Sequence, residues 1–239
     1  MSGFTHSTTV DGQELGLYAE FPDGAGPFPV VVVIQHAAGV DEFIVAMVAR
    51  LAQAGYGAVA PQLYHRLTET GPPLEMLKQL RDDEVIADVN AAIDWLATRP
   101  VVDVERMGIM GFCMGGRVSY MMAAVNPRLR AAVAYYGGNI MKSWGDGLPT
   151  PFERTADIGC PLLFHFGAED ANPSPEDMQA LDRELARHGK PHEFHSYPGA
   201  GHAFMDFTSP ARYRELADRL SWPRTLQFLA RCLGAGGRR

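Results

Sequence analysis

The sequence predicts an α/β fold of three layers, with a mostly parallel central sheet of about seven or eight strands and helices on both faces. Three observations carry that expectation. Short, strongly apolar runs recur at 29–35, 57–60, 106–110, 129–136 and 161–167. Stretches with apolar residues at helical spacing separate them. Most connections are short, as right-handed crossovers within one sheet require. The 239 residues hold no repeat, low-complexity tract or linker-like shift in composition. A single domain over 1–239 is therefore expected, with 233–239 as a frayed tail.

Taken in order, residues 5–21 alternate around Asp11-Gly12, a hairpin signal that predicts an antiparallel edge pair. Residues 29–35 (Pro-Val-Val-Val-Val-Ile-Gln) read as a strand covered on both faces. Phe43, Ile44, Met47, Val48 and Leu51 recur at helical spacing behind Asp41. A short strand at 57–60 leads into the loop Pro61-Gln62-Leu63-Tyr64-His65-Arg66. The next helix begins after Pro72-Pro73 or near Arg81, with Val85, Val89, Ala92, Ile93 and Leu96 as its apolar stripe. A strand at 106–110, a helix at 114–125 and a strand at 129–136 follow. Residues 139–159 read as a long irregular stretch of the kind that shapes pockets. A strand at 161–167, a helix at 174–188 opened by Ser174-Pro175, a strand at 192–197 and a helix from about 210 to 233, with a break expected before Pro223, complete the chain.

Composition narrows the function classes. A formal net charge of −7 with no basic cluster argues against nucleic acid or an anionic membrane surface as partner. The N-terminus lacks the pattern of a secretory signal, and no apolar run reaches about 18 residues, so no membrane span is expected. Three cysteines without paired spacing suit a reducing cytoplasm better than a disulfide framework. His192 and His195 face opposite sides of an expected strand and do not read as metal ligands. The expected partner is a small molecule, with the protein a monomer or small homo-oligomer.

The segment Gly111-Phe112-Cys113-Met114-Gly115-Gly116 carries the chemistry. Strand, glycine-flanked Cys and helix form the nucleophile elbow G-x-[Ser/Cys]-x-G. The turn presents the sulfur above the sheet at a helix N-terminus, which favours thiolate. A buried Cys in a tight turn is the plain alternative. Ligand sites in such sheets lie beyond the carboxyl ends of the strands. Gln35-His36-Ala37, Cys113, Asp170 and His202 all fall there. His202 sits in a Gly-x-Gly-His loop that suits a base reaching the thiol, and Asp170 would orient it. Glu169 is a rival acid one residue nearer the strand. An oxyanion hole is expected at the backbone N–H groups of Met114 and Ala37.

On these residues, together with Pro61-Gln62-Leu63-Tyr64, Tyr135-Tyr136-Gly137, Leu163-Phe164-His165-Phe166-Gly167 and Gly201-His202-Ala203-Phe204, the chain resembles the dienelactone hydrolase (carboxymethylenebutenolidase) family of Cys-using α/β-hydrolases. The resemblance runs from about residue 8 to 230 and implies the triad Cys113, Asp170, His202, the oxyanion hole at Ala37 and Met114, no metal, no cofactor and no lid domain. Two positions depart from it. His36 stands where the founding enzymes are similar in having a Glu that holds the resting thiol, so a direct Cys113–His202 thiolate–imidazolium pair is expected. Asp206 stands where they have an Arg that grips the substrate carboxylate, and like charge would repel an anionic lactone. Arg81 matches another gripping Arg in type and equally fits a helix surface. The expected pocket wall is His36, Tyr64, Arg81, Trp144, Phe204 and Asp206. The expected activity is hydrolysis of a small ester or lactone through a thioester acyl-enzyme. The alternatives are a general small-acyl esterase or thioesterase, and a non-catalytic ligand-binding member of the fold.

Overall fold

A computed structural model describes residues 4–234 of the chain. Eight strands form one sheet in the order β1-β2-β4-β3-β5-β6-β7-β8. β1 (His6–Val10) and β2 (Gln13–Glu20) are the antiparallel hairpin around Asp11-Gly12, and β2 also runs antiparallel to β4 (Gly57–Pro61). The other pairings, through β3 (Phe28–Ile34), β5 (Val102–Phe112), β6 (Leu129–Tyr135), β7 (Leu162–Gly167) and β8 (His192–Tyr197), are parallel.

The period-two alternation of the central strands divides the core between the two faces. Val30, Val32 and Ile34 face one apolar layer with α3 (Asp82–Ala97), α4 (Met114–Val125) and α5 (Pro175–Arg187). Val31 and Val33 face the other, with α1 (Glu42–Gln53) and α6 (Glu215–Leu233). β3 is buried on both sides and is β-branched over Val30–Ile34, which is why it is so plain in the sequence.

Helix starts follow their caps. Asp41 caps α1 by accepting the Ile44 N–H, and Ser174 with Asp177 forms a capping box on α5 behind Pro175. Both candidate starts after residue 72 are used: α2 (Pro73–Leu77) is a short helix and α3 begins directly after Arg81.

Four expectations change. β5 begins four residues early because its first part, with Asp103 and Glu105, projects beyond the buried sheet and shows no apolar run. The irregular stretch contains a 3-10 turn, Phe152–Asp157. α6 begins at Glu215, since Asp206 and Ser209 organise 206–213 into turns, and it continues through Pro223 without a break. Proline removes the hydrogen bond to the carbonyl four residues back, but Pro223 and Arg219 are both exposed, so the loss falls on the solvent side of the helix. Leu233, expected in the tail, is the last helical residue and buried; of the expected tail, 235–239 lie outside the described residues.

Candidate active site

The elbow is a packing solution as much as a chemical one. Cys113 adopts φ 56° and ψ −118°, a conformation L-residues avoid, between the end of β5 and the first turn of α4. A Cβ on Gly111 would lie 2.1 Å from the Gly115 carbonyl oxygen, and one on Gly115 2.4 Å from that of Ile34. No side chain fits either gap, so both glycines are required.

β7 and β8 lead into the loops that carry the candidate acid and the candidate base. Asp170 follows β7, and its Oδ1 accepts the Asn172 N–H at 2.8 Å, which turns Oδ2 toward His202 Nδ1 at 2.9 Å. The two loops are bound to each other: the Glu169 N–H donates to the Ala200 carbonyl at 2.9 Å, and Gly167 passes so near Ala200 that a Cβ would lie 2.3 Å from its oxygen. Asp170 is buried and His202 half-buried. Burial on its own pulls the His202 imidazole down. Hydrogen bonds to Asp170 and to Cys113, with the charges of both, outweigh it and push the imidazole up to about 10. Glu169, the rival acid, is exposed at the cleft. Tyr136 lies edge-on to the His202 ring at 5.3 Å.

At the end of β3, Gln35 is fully buried and its Oε1 accepts the Leu63 N–H at 3.0 Å. The Tyr64 hydroxyl donates to the Ala37 carbonyl at 2.9 Å and lies 3.5 Å from Met114 Sδ, so one side chain spans the two segments expected to supply oxyanion donors. Burial, then the charge of Cys113, raises the Tyr64 phenol above its ordinary value. Met114 opens α4, where the first amides have no intrahelical partner.

A cleft of about 510 Å³ opens over this group. Cys113, Met114, Asp170, His202 and Trp144 line it, together with Gly138, Asn139, Asn172, Leu74 and Leu77. Among its lining residues there is no Lys or Arg. The structure thus brings the three triad candidates, Met114 and Trp144 to one cleft. Tyr64 belongs to a neighbouring cleft of about 730 Å³ with Asp41, Leu67 and Met76.

The other expected wall residues lie elsewhere. His36 Nε2 is 2.8 Å from Asp41 Oδ2, tying the imidazole to the start of α1. Burial opposes ionisation of Asp41, yet His36 and the Ile44 and Phe43 amides hold its carboxyl below the usual range. Asp206 is buried with its carboxylate engaged by the Thr208 N–H at 3.1 Å and by Arg212 at 3.2 Å. Phe204 is core, packed on Tyr136 and Tyr197. Arg81 is exposed and pairs with Asp83 at 3.0 Å. Each has a partner within ten residues or in the core, and none turns to the cleft. The sequence reading missed Leu74, Leu77, Gly138, Asn139 and Asn172. Pro72-Pro73 and the Gly-Gly-Asn after β6 were the available signals, since both mark turns at strand or helix ends.

The model of the dienelactone hydrolase family matches residues 15–233. A Salmonella typhimurium protein named "putative carboxymethylenebutenolidase" is 33% identical over 242 residues, covering 97% of this chain and 88% of the relative. An Escherichia coli protein of the same name is 34% identical over 239 residues, covering 95% of this chain and 86% of the relative. A Klebsiella pneumoniae crystal structure titled as a putative dienelactone hydrolase superposes with a TM-score of 0.85 at 34% identity, covering 94% of this chain and 97% of that one.

Proposed function

Because this chain belongs to the dienelactone hydrolase family, whose members act on esters and lactones, we propose that it hydrolyses a small neutral ester or lactone through a Cys113–His202–Asp170 triad. The observation that supports this most directly is His202, whose Nδ1 lies 2.9 Å from Asp170 Oδ2 and whose imidazole, against the cost of burial, is pushed up to about 10 by Asp170 and Cys113. An imidazole so placed stays protonated at neutral pH and holds a proton ready for the leaving group.

The reaction runs in two steps. The Cys113 sulfur attacks the carbonyl carbon, and the carbonyl electron pair moves to an oxyanion facing the Met114 and Ala37 N–H groups. The oxyanion collapses, the C–O bond to the alcohol breaks, and His202 protonates the departing alkoxide. A water molecule, giving its proton to His202, then attacks the thioester carbonyl; the acid leaves and the thiolate–imidazolium pair is restored. Asp170 fixes the imidazole tautomer throughout.

The choice of a neutral substrate follows from the lining. An anionic lactone would enter beside Glu169 and Asp170 with no Lys or Arg to meet its carboxylate. Asp206, expected to repel an anionic lactone, is turned into its own loop, so the cleft wall is what supports the neutral assignment. Wild type, Cys113→Ser and Cys113→Ala are to be assayed on p-nitrophenyl acetate, dihydrocoumarin and cis-dienelactone. Wild type should favour the two neutral compounds, and Cys113→Ala should be inactive on all. Full activity of Cys113→Ala would remove the nucleophile, and a strong preference for cis-dienelactone would remove the neutral assignment.

A further inference from the structure

Arg117 is the only charged residue of α4, and it is completely buried. It stands one turn after Cys113, and its N–H bonds the Cys113 carbonyl at 3.3 Å. Its guanidinium makes a two-pronged pair with Asp82, Nη1 to Oδ1 at 2.6 Å and Nη2 to Oδ2 at 3.0 Å. The remaining donors reach the backbone of the irregular segment: Nε donates to the Asn139 carbonyl at 3.2 Å and Nη2 to that of Lys142. The same group lies 3.9 Å from the centre of the Trp144 ring.

Asp82, the first residue of α3, completes the arrangement. Its carboxylate accepts the Trp144 N–H at 2.9 Å, and its own N–H donates to the Trp144 carbonyl at 2.7 Å. Trp144 is therefore held by both backbone groups and by its ring. Asn139 is held similarly, its N–H by Asn172 Oδ1 at 2.9 Å and its carbonyl by Arg117. Trp144, Asn139 and Asn172 are all cleft-lining residues.

We infer that Arg117, with Asp82 as counter-ion, is a positioning residue that sets the cleft wall opposite Cys113 and so selects the size of the substrate group lying along Trp144. The inference rests on the reading of Cys113 as nucleophile. Stability alone does not call for this pair, since apolar residues of similar volume often serve a core as well as a buried ion pair. What the planar fork supplies is direction: five donors in one plane bind a carboxylate and two carbonyls at once while the flat face stacks on an indole. The fork grows from the nucleophile helix, so the wall is placed relative to the sulfur and not relative to solvent-exposed loops. A lysine keeps the charge but provides neither the plane nor the fork.

The test compares wild type with Arg117→Lys and Asp82→Asn on p-nitrophenyl acetate, butyrate and hexanoate. Two further readouts are the rate of Cys113 alkylation by iodoacetamide and acrylamide quenching of Trp144 fluorescence, isolated by subtracting the Trp144→Phe variant. Arg117→Lys should raise KM for the favoured ester ~10-fold with kcat within ~3-fold, level the preference among acyl lengths and expose Trp144 to quencher. Alkylation should stay within ~2-fold of wild type, because the triad is untouched. Asp82→Asn should shift the same quantities less, and it decides the matter if Arg117→Lys does not fold. Unchanged KM, acyl preference and quenching in a folded variant would overturn the inference. So would a fall in alkylation and kcat at constant KM, which would make Arg117 a support of the nucleophile instead. Should wild type hydrolyse none of the esters, the functional reading fails, while the Trp144 signal still tests the clamp.

Discussion

Replacing Asp170 by Asn leaves the shape of the acid and takes away its charge. Asp170 Oδ1 accepts the Asn172 N–H and Oδ2 faces His202 Nδ1 at 2.9 Å. In Asp170→Asn the amide oxygen can still serve Asn172, which points the NH2 at His202 and favours the wrong tautomer. The rise of His202 from 6.5 to about 10 corresponds to roughly 5 kcal/mol of preference for imidazolium before solvent is considered. The ring is 31% exposed, so screening leaves about half of that, divided between Asp170 and Cys113. Loss of the Asp170 share, ~1–1.5 kcal/mol, lowers the imidazolium pKa by about one unit. The assay is the pH profile of kcat/KM on p-nitrophenyl acetate. Wild type should hold activity until an alkaline limb above the ordinary histidine value, and Asp170→Asn should bring that limb down by about one unit and cut the plateau by ~10²–10³. The sign carries over to stability. A raised histidine stabilises the fold fully below its unfolded value of 6.5 and loses that contribution as pH rises through about 10. The urea midpoint of wild type should therefore fall over this window more than that of Asp170→Asn. An alkaline limb in the same place for both proteins would refute the assignment of Asp170 as the group that holds His202.

Three further outcomes follow from the structure. Gly115→Ala places a Cβ 2.4 Å from the Ile34 oxygen and 2.7 Å from that of Gln35, both backbone, and should cost ~3 kcal/mol or more in urea unfolding. Gly201→Ala, whose nearest atom is 3.8 Å away, should stay within about 1 kcal/mol of wild type. Asp206→Asn weakens a buried link to Arg212 and should lower stability by ~1–3 kcal/mol without altering the neutral-over-anionic preference; a shift of that preference toward cis-dienelactone would return Asp206 to the cleft.

The sequence made the frame legible wherever burial is two-sided. Val30 to Ile34 announces a central strand because both of its faces need apolar side chains. The elbow was legible for a similar reason, since only glycine fits around a residue at φ 56° in so close a crossing. Positions after a strand end were harder. His36 and Asp206 stand near Ala37 and His202 in the chain, yet each turns toward a local partner, Asp41 and Arg212, that chain order alone does not select. Arg117 was hidden for the opposite reason. Its partners Asp82, Asn139 and Lys142 come from two separate segments, and nothing in an otherwise apolar helix says where a lone cation points.

The close crossing at the elbow also bears on how such a protein diversifies. Gly115 fits against the carbonyls at the end of β3, and Gly116 against Gly137 at the end of β6, where a Cβ would lie 2.8 Å from its Cα. The start of α4 is thus a wedge driven between two strand ends, one leading to Ala37 and the other to the cleft wall at Gly138. Those three positions can drift only together, so inheritance of the elbow carries the spacing of the surrounding walls with it. New substrate range is left to a segment not wedged there, α2, where a substitution at Leu74 or Leu77 can reshape the cleft and leave the wedge as it was.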